Sequence, residues 1–127
     1  AELVGAVDPV AITTLLHRMD VAVAPYPASA TYFSPLKLYE YLAAGLPVVA
    51  SRVGQIPDVI EDGRTGRLCP PEDPCALAEA VLGLRKDPEA AAALAAAGRA
   101  MVERDHTWLA VADRILQMAG APVPAKD

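Results

Sequence analysis

The sequence predicts an α/β fold, a parallel sheet of about four strands flanked by helices, on three observations. Short apolar runs alternate with stretches of helical periodicity, the order expected when each strand feeds a covering helix. Two of those runs, Val21-Ala22-Val23-Ala24 and Val48-Val49-Ala50, are apolar throughout, as strands covered on both faces are. Helix starts also share one device, a capping residue followed by proline, at Asp8-Pro9, Ser34-Pro35 and Asp73-Pro74.

In chain order, Glu2 to Gly5 is the first expected strand. Asp8 then caps a helix whose first residue, Pro9, lacks an N–H that would go unused there. Val10, Leu15, Leu16 and Met19 are its expected apolar face. Val21 to Ala24 is the second strand, followed by a loop rich in Pro, Ser and Tyr from Pro25 to Phe33. Ser34-Pro35 opens a second helix that runs to about Ala44, and Gly45 and Pro47 close it. Val48 to Ala50 is the third strand, Ile56 to Glu61 a short helix, Asp62-Gly63 a turn and Gly66 to Cys69 the fourth strand. From Asp73 to Gln117 the pattern is helical, in three segments broken near Asp87-Pro88 and near Thr107. The alanine-rich run Ala90 to Ala97 belongs there because each of its residues favours helix. Trp108, Leu109, Val111, Ile115 and Leu116 form an apolar face expected to pack on the domain. Residues 1–119 read as one unit, and 120–127, with Pro122 and Pro124, as a flexible tail.

A chain of 127 residues buries roughly two-thirds of the surface it would expose unfolded, enough for a core. The formal charge of -5 argues against wholesale binding to nucleic acid, which needs a basic face. No apolar run approaches the roughly 20 residues of a membrane-spanning helix. Two cysteines, Cys69 on a strand and Cys75 on a helix, are too few for a disulfide framework, and no His pair suggests zinc. That usage suits a reducing cytoplasm. The sequence starts at Ala1 and enters an apolar stretch at once, so the natural protein is expected to extend further toward the N-terminus.

In an open parallel sheet, ligands bind beyond the carboxyl ends of the strands. Three loops qualify: Gly5 to Asp8, Pro25 to Ser34 and Ser51 to Pro57. The second leads into Ser34-Pro35-Leu36-Lys37-Leu38-Tyr39-Glu40. A helix N-terminus offers unpaired N–H groups and partial positive charge, which suit a phosphate. Pro35 has no N–H, so Leu36 and Lys37 would present the amides, and the Lys37 side chain would add a full charge. Glu40 lies roughly 7 to 8 Å along the axis at 1.5 Å per residue, and helical side chains lean back toward the N-terminus. Its carboxylate can accept two hydrogen bonds from a ribose diol. The same spacing equally describes a surface ion pair between Lys37 and Glu40. Arg52, after a strand end, suits either a phosphate or the surface, and Tyr26 and Tyr32 are candidates to line a base or sugar pocket. His17 and His106 read as ordinary surface or boundary residues.

Ser34 to Ala50, SPLKLYEYLAAGLPVVA, resembles the core of the family 4 (group 1) retaining glycosyltransferases, enzymes of GT-B architecture with two Rossmann-like domains facing a cleft. The likeness continues through Ser51 to Asp58, Glu61 to Gly66 and Pro70 to Leu77, with Met19 to Pro25 upstream, and covers about residues 2 to 117. It implies that residues 1–119 are the C-terminal portion of the nucleotide-sugar-binding Rossmann-like domain. By resemblance, Glu40 matches the second glutamate of the family's E-x7-E pattern, which holds the nucleotide ribose. The backbone at Leu36 and Lys37, after Ser34, matches the diphosphate contact. Gly54 lies in the loop that closes over the donor. Tyr32 stands where the first glutamate, a sugar contact, would fall, and Gln55 replaces the second glycine of a pair.

The resemblance implies transfer of a sugar from a nucleotide-diphosphate donor to an acceptor with retention, the acceptor unknown and the catalytic residues unassigned. No cofactor and no metal is implied. The family's Arg/Lys phosphate clamp and the N-terminal domain lie outside this sequence, so the isolated chain is expected to be inactive. A cytoplasmic location is implied, with peripheral contact at the membrane open to the full-length protein. Two alternatives stay open: a nucleotide-sugar epimerase of the same architecture, and a non-catalytic nucleotide-sugar-binding paralogue, to which the Tyr32 change gives weight.

Overall fold

The computed structural model describes residues 4–30 and 34–120. Its elements run α1 (Pro9–Leu16), β1 (Ala22–Ala24), α2 (Leu36–Ala43), β2 (Val48–Ser51), α3 (Ile56–Val59), β3 (Arg67–Cys69), α4 (Pro74–Lys86), α5 (Pro88–Asp105) and α6 (Trp108–Met118). The strands form a parallel three-stranded sheet in the order β1-β2-β3. Val23 pairs with Val49, and Ala50 with Leu68. Val4 and Gly5, the described part of the first expected strand, are not in strand conformation.

The central strand β2 is buried along its whole length, and its side chains alternate between two layers. Val48 and Ala50 join Leu16, Leu38, Leu42, Ile56 and Ile60 in the core beneath α1, α2 and α3. Val49 points the other way and meets Leu84 of α4 and Leu94 of α5. This is a sheet covered on both faces at its centre, as an apolar parallel strand requires. The cover stops at β1: Val23 is 42% exposed, so the expectation of a second strand covered on both faces holds for one face only.

Capping explains where the helices begin. Asp8, Asp73 and Asp87 each accept a hydrogen bond at 2.8–2.9 Å from an amide of the helix that follows. Thr107 does the same for α6. The second helix is different. Pro35, not Ser34, occupies its cap position, and no side chain caps it. It ends as anticipated: Gly45 adopts φ 72°, Gly45 N donates to Leu42 O and Leu46 N to Tyr41 O. That paired return of bonds through a left-handed residue satisfies the last carbonyls, and glycine takes the conformation without cost.

Two helix faces differ from what their periodicity predicts. On α1, Leu16 and Ile12 turn inward, whereas Val10 is 83% exposed and Met19 lies outside the core. On α6 no residue is buried, and Trp108 is 89% exposed. An apolar stripe fixes which side of a helix is greasy, not what that side meets. Gly98 explains how α5 reaches α2, since a Cβ there would stand 2.6 Å from Leu42 Cδ2 and 2.9 Å from Thr65 O.

Candidate functional site

The carboxyl ends of all three strands open on one side, and the sequence-predicted residues gather around the helix that follows β1. The amides of Leu36 and Lys37 find no acceptor among the described residues, because the helical ladder starts with Leu38 N and Tyr39 N donating to Pro35 O. Leu36 is 64% exposed and Lys37 is exposed, so the mouth of α2 is open to solvent. Ser34, also exposed, precedes it. Such an end carries unpaired donors and the positive pole of the helix, an environment for an anion.

Glu40 lies one turn further along. It borders a hollow of about 470 Å³ between α1 and α2, with Pro9, Ile12, Thr13 and His17 on the opposite wall and Arg99 at one end. Lys37 and Glu40 form no ion pair, so the surface-pair reading does not hold. The Lys37 ammonium lies over the Tyr26 ring instead, 5.9 Å from its centroid. Glu40 thus borders the α1–α2 hollow, whereas the Lys37 cation lies over Tyr26, in the loop that leaves β1.

Gly54 is exposed in the turn after β2 at φ 50°, a left-handed conformation that a side chain would resist. Arg52, two residues before it, is not free for a phosphate: its Nη2 donates to Asp62 Oδ2 at 2.8 Å. Tyr32 lies outside the described residues. His17 Nδ1 is 2.7 Å from Thr13 O, on its own helix. His106 packs its ring on Tyr39, with centroids 4.6 Å apart. His17 also borders the hollow that Glu40 lines, and His106 packs against α2. Among the described residues, no group of three or more His, Cys, Asp or Glu converges, and no helix is long and apolar enough to cross a membrane.

Sequence reasoning missed a second hollow, of about 270 Å³, at the ends of the strands themselves. Pro25, Tyr26, Ser51, Cys69 and Glu72 line it. Ser51 is buried, and its Oγ accepts from Tyr26 N at 3.0 Å. Burial pushes the Cys69 thiol above its ordinary range. A buried serine closing an apolar strand is the one trace of this arrangement in the sequence, and its partner lies 25 residues away.

A parallel sheet with helices on both faces is the architecture that this chain shares with GT-B glycosyltransferases of known structure. A family model described as "Glycosyl transferases group 1" matches residues 1–87, and the chain belongs to that family. It is 37% identical to a glycogen synthase of Mycobacterium tuberculosis (strain H37Rv) over 117 residues, 91% of this chain and 27% of that protein. The sucrose-phosphate synthase of Thermosynechococcus elongatus superposes with a TM-score of 0.78 at 33% identity, over 92% of this chain and 29% of that one. HepE of Anabaena, solved in complex with UDP-glucose, superposes at 0.73 with 21% identity, over 84% of this chain and 29% of that one. The chain therefore spans under a third of the length of these relatives.

Proposed function

We propose that this chain is the donor-binding part of a cytoplasmic retaining glycosyltransferase whose donor is a nucleotide-diphosphate sugar. The observation that carries the reading is the separation of Lys37 from Glu40. The cation lies over the ring of Tyr26, in the loop that leads to the helix mouth, while Glu40 borders a hollow between two helices. A diphosphate accepted by the Leu36 and Lys37 amides and the Lys37 charge would place a ribose diol within reach of Glu40, which accepts its two hydrogen bonds. Ser34 and Gly54 flank the diphosphate in this reading, and a sugar contact for Tyr32 rests on the sequence resemblance alone. Charge that develops on the departing diphosphate would be stabilised by donors fixed before reaction. One relative named above is a glycogen synthase and another, HepE, was solved with UDP-glucose, which supports a nucleotide-sugar donor here.

The rest of the enzyme supplies the acceptor side from an N-terminal domain, and the isolated chain catalyses no transfer. Calorimetric titration with UDP, GDP and ADP tests the reading, on this chain and on the full-length protein. Glu40→Ala is expected to weaken the preferred nucleotide by about 1.5–3 kcal/mol, the loss when one charged hydrogen-bond partner is removed. Equal affinity in wild type and variant would refute it, and sugar transfer by the 127-residue chain alone would refute the inactivity.

A further inference from the structure

We propose that Ser51 and Tyr26 are positioning residues for the Lys37 ammonium: the serine fixes the ring, and the ring fixes the charge. The inference rests on the reading of Lys37 as a diphosphate contact. Backbone pairing between β1 and β2 reaches only to Ala24 and Ala50. Beyond it, the Ser51 hydroxyl, 3% exposed, takes over by accepting from Tyr26 N at 3.0 Å. A buried side-chain bond at that point sets where the chain turns on leaving the strand. Tyr26 is itself half-buried against the core, so its ring has few places to go.

Lys37 Nζ lies 5.9 Å from the centre of that ring, inside the roughly 6 Å over which an aromatic face attracts a cation. The choice of partner matters chemically. A carboxylate would neutralise the ammonium, whereas a ring holds it and leaves its full charge for an anion. The long lysine side chain is thereby ordered at the helix mouth before any ligand arrives, which lowers the ordering cost of binding.

The test uses the 127-residue chain, with UDP, GDP and ADP as probes in calorimetry and the Lys37 side-chain signals as a ligand-free readout by NMR. In wild type and Tyr26→Phe, the methylene protons beside the ammonium are expected to be shifted upfield by the ring. Tyr26→Leu abolishes that shift, and Ser51→Ala reduces it. Tyr26→Leu weakens nucleotide binding roughly two- to fivefold, Tyr26→Phe recovers the wild-type value, and in a Lys37→Ala background Tyr26→Leu has no further effect. Absence of the upfield shift, or equal or tighter binding by Tyr26→Leu, would overturn the positioning role while leaving the diphosphate reading intact. Undiminished binding by Lys37→Ala would instead sink the diphosphate reading, with the NMR shift still reporting on the ring. Should Tyr26→Leu fail to fold, Ser51→Ala with an unreduced upfield shift and unchanged binding overturns the proposal.

Discussion

Asp62 Oδ1 accepts a hydrogen bond from the Leu68 amide at 2.9 Å, on the side of β3 turned away from β2. The side follows from alternation: Arg52 N donates to Cys69 O, so Cys69 faces β2 and its neighbour Leu68 faces the open edge. One carboxylate thus caps an edge amide that would otherwise seek another strand. The other oxygen receives Arg52 at 2.8 Å, and Arg67 approaches at 3.7 Å.

Asp62→Ala is expected to lower stability by about 0.5–1.5 kcal/mol, the net worth of one intramolecular hydrogen bond, because water can reach the exposed Leu68 amide. The ion pairs add little, because both arginines are half exposed. Asp62→Asn keeps an acceptor and recovers most of the loss. Denaturant unfolding of the three proteins would show it, and equal midpoints for Ala and Asn would contradict the assignment.

Gly98→Ala pits helix propensity against space. Alanine gains about 1 kcal/mol in a helix interior. Its methyl would meet the Thr65 carbonyl at 2.9 Å, and backbone there cannot yield as a leucine tip can. Overpacking of this kind costs about 1–3 kcal/mol, so a net loss is expected in thermal unfolding.

Glu72 holds φ 57° without being glycine, directly after Pro70-Pro71. The left-handed conformation costs a side-chain-bearing residue roughly 1–2 kcal/mol, and glycine gives part of that back as unfolded-state entropy. Glu72→Gly should raise stability by about 0.5–1 kcal/mol. An unchanged or lower unfolding midpoint would count against strain at this turn.

Burial raises the Tyr39 phenol above its ordinary pKa of 10.0, with Arg114 pulling the other way. The unfolded chain then releases this proton first. Stability is full below pH 10.0 and is lost as the pH rises through the folded-state value. Comparing unfolding midpoints at neutral and strongly alkaline pH, Tyr39→Phe should show a shallower loss than wild type.

Thiol labelling distinguishes the two cysteines. Cys75 is exposed on the first turn of α4, and Cys69 is buried at the end of β3. One equivalent of reagent should react in the native protein and the second only with unfolding. Rapid native labelling of Cys69 would mean that the strand-end hollow admits reagent.

What the sequence makes legible here is what depends on neighbours along the chain. Asp8, Asp73, Asp87 and Thr107 cap helices because the amides they need lie two or three residues ahead. Glu40 could be placed near the helix mouth from helical rise alone. Ser34 misled because a proline after a polar residue looks the same whether the helix starts on it or one residue later, and here Pro35 takes the cap position. The outward turn of Val10, the bare α6 and the Tyr26–Ser51 and Asp62–Leu68 bonds depend on residues brought together by packing, which no local pattern encodes.

Asp87 ends α4 through its own amide, bonded to Gly83 O, and begins α5 through its side chain, bonded to Ala90 N. No spacer separates the two helices, so one residue serves both ends of the corner. The first turn of α4 walls the strand-end hollow, and α5 rests on the helix that carries Lys37 and Glu40. The junction therefore ties the two recesses together through a single residue, and a residue inserted after Lys86 would part the stop of one helix from the start of the next.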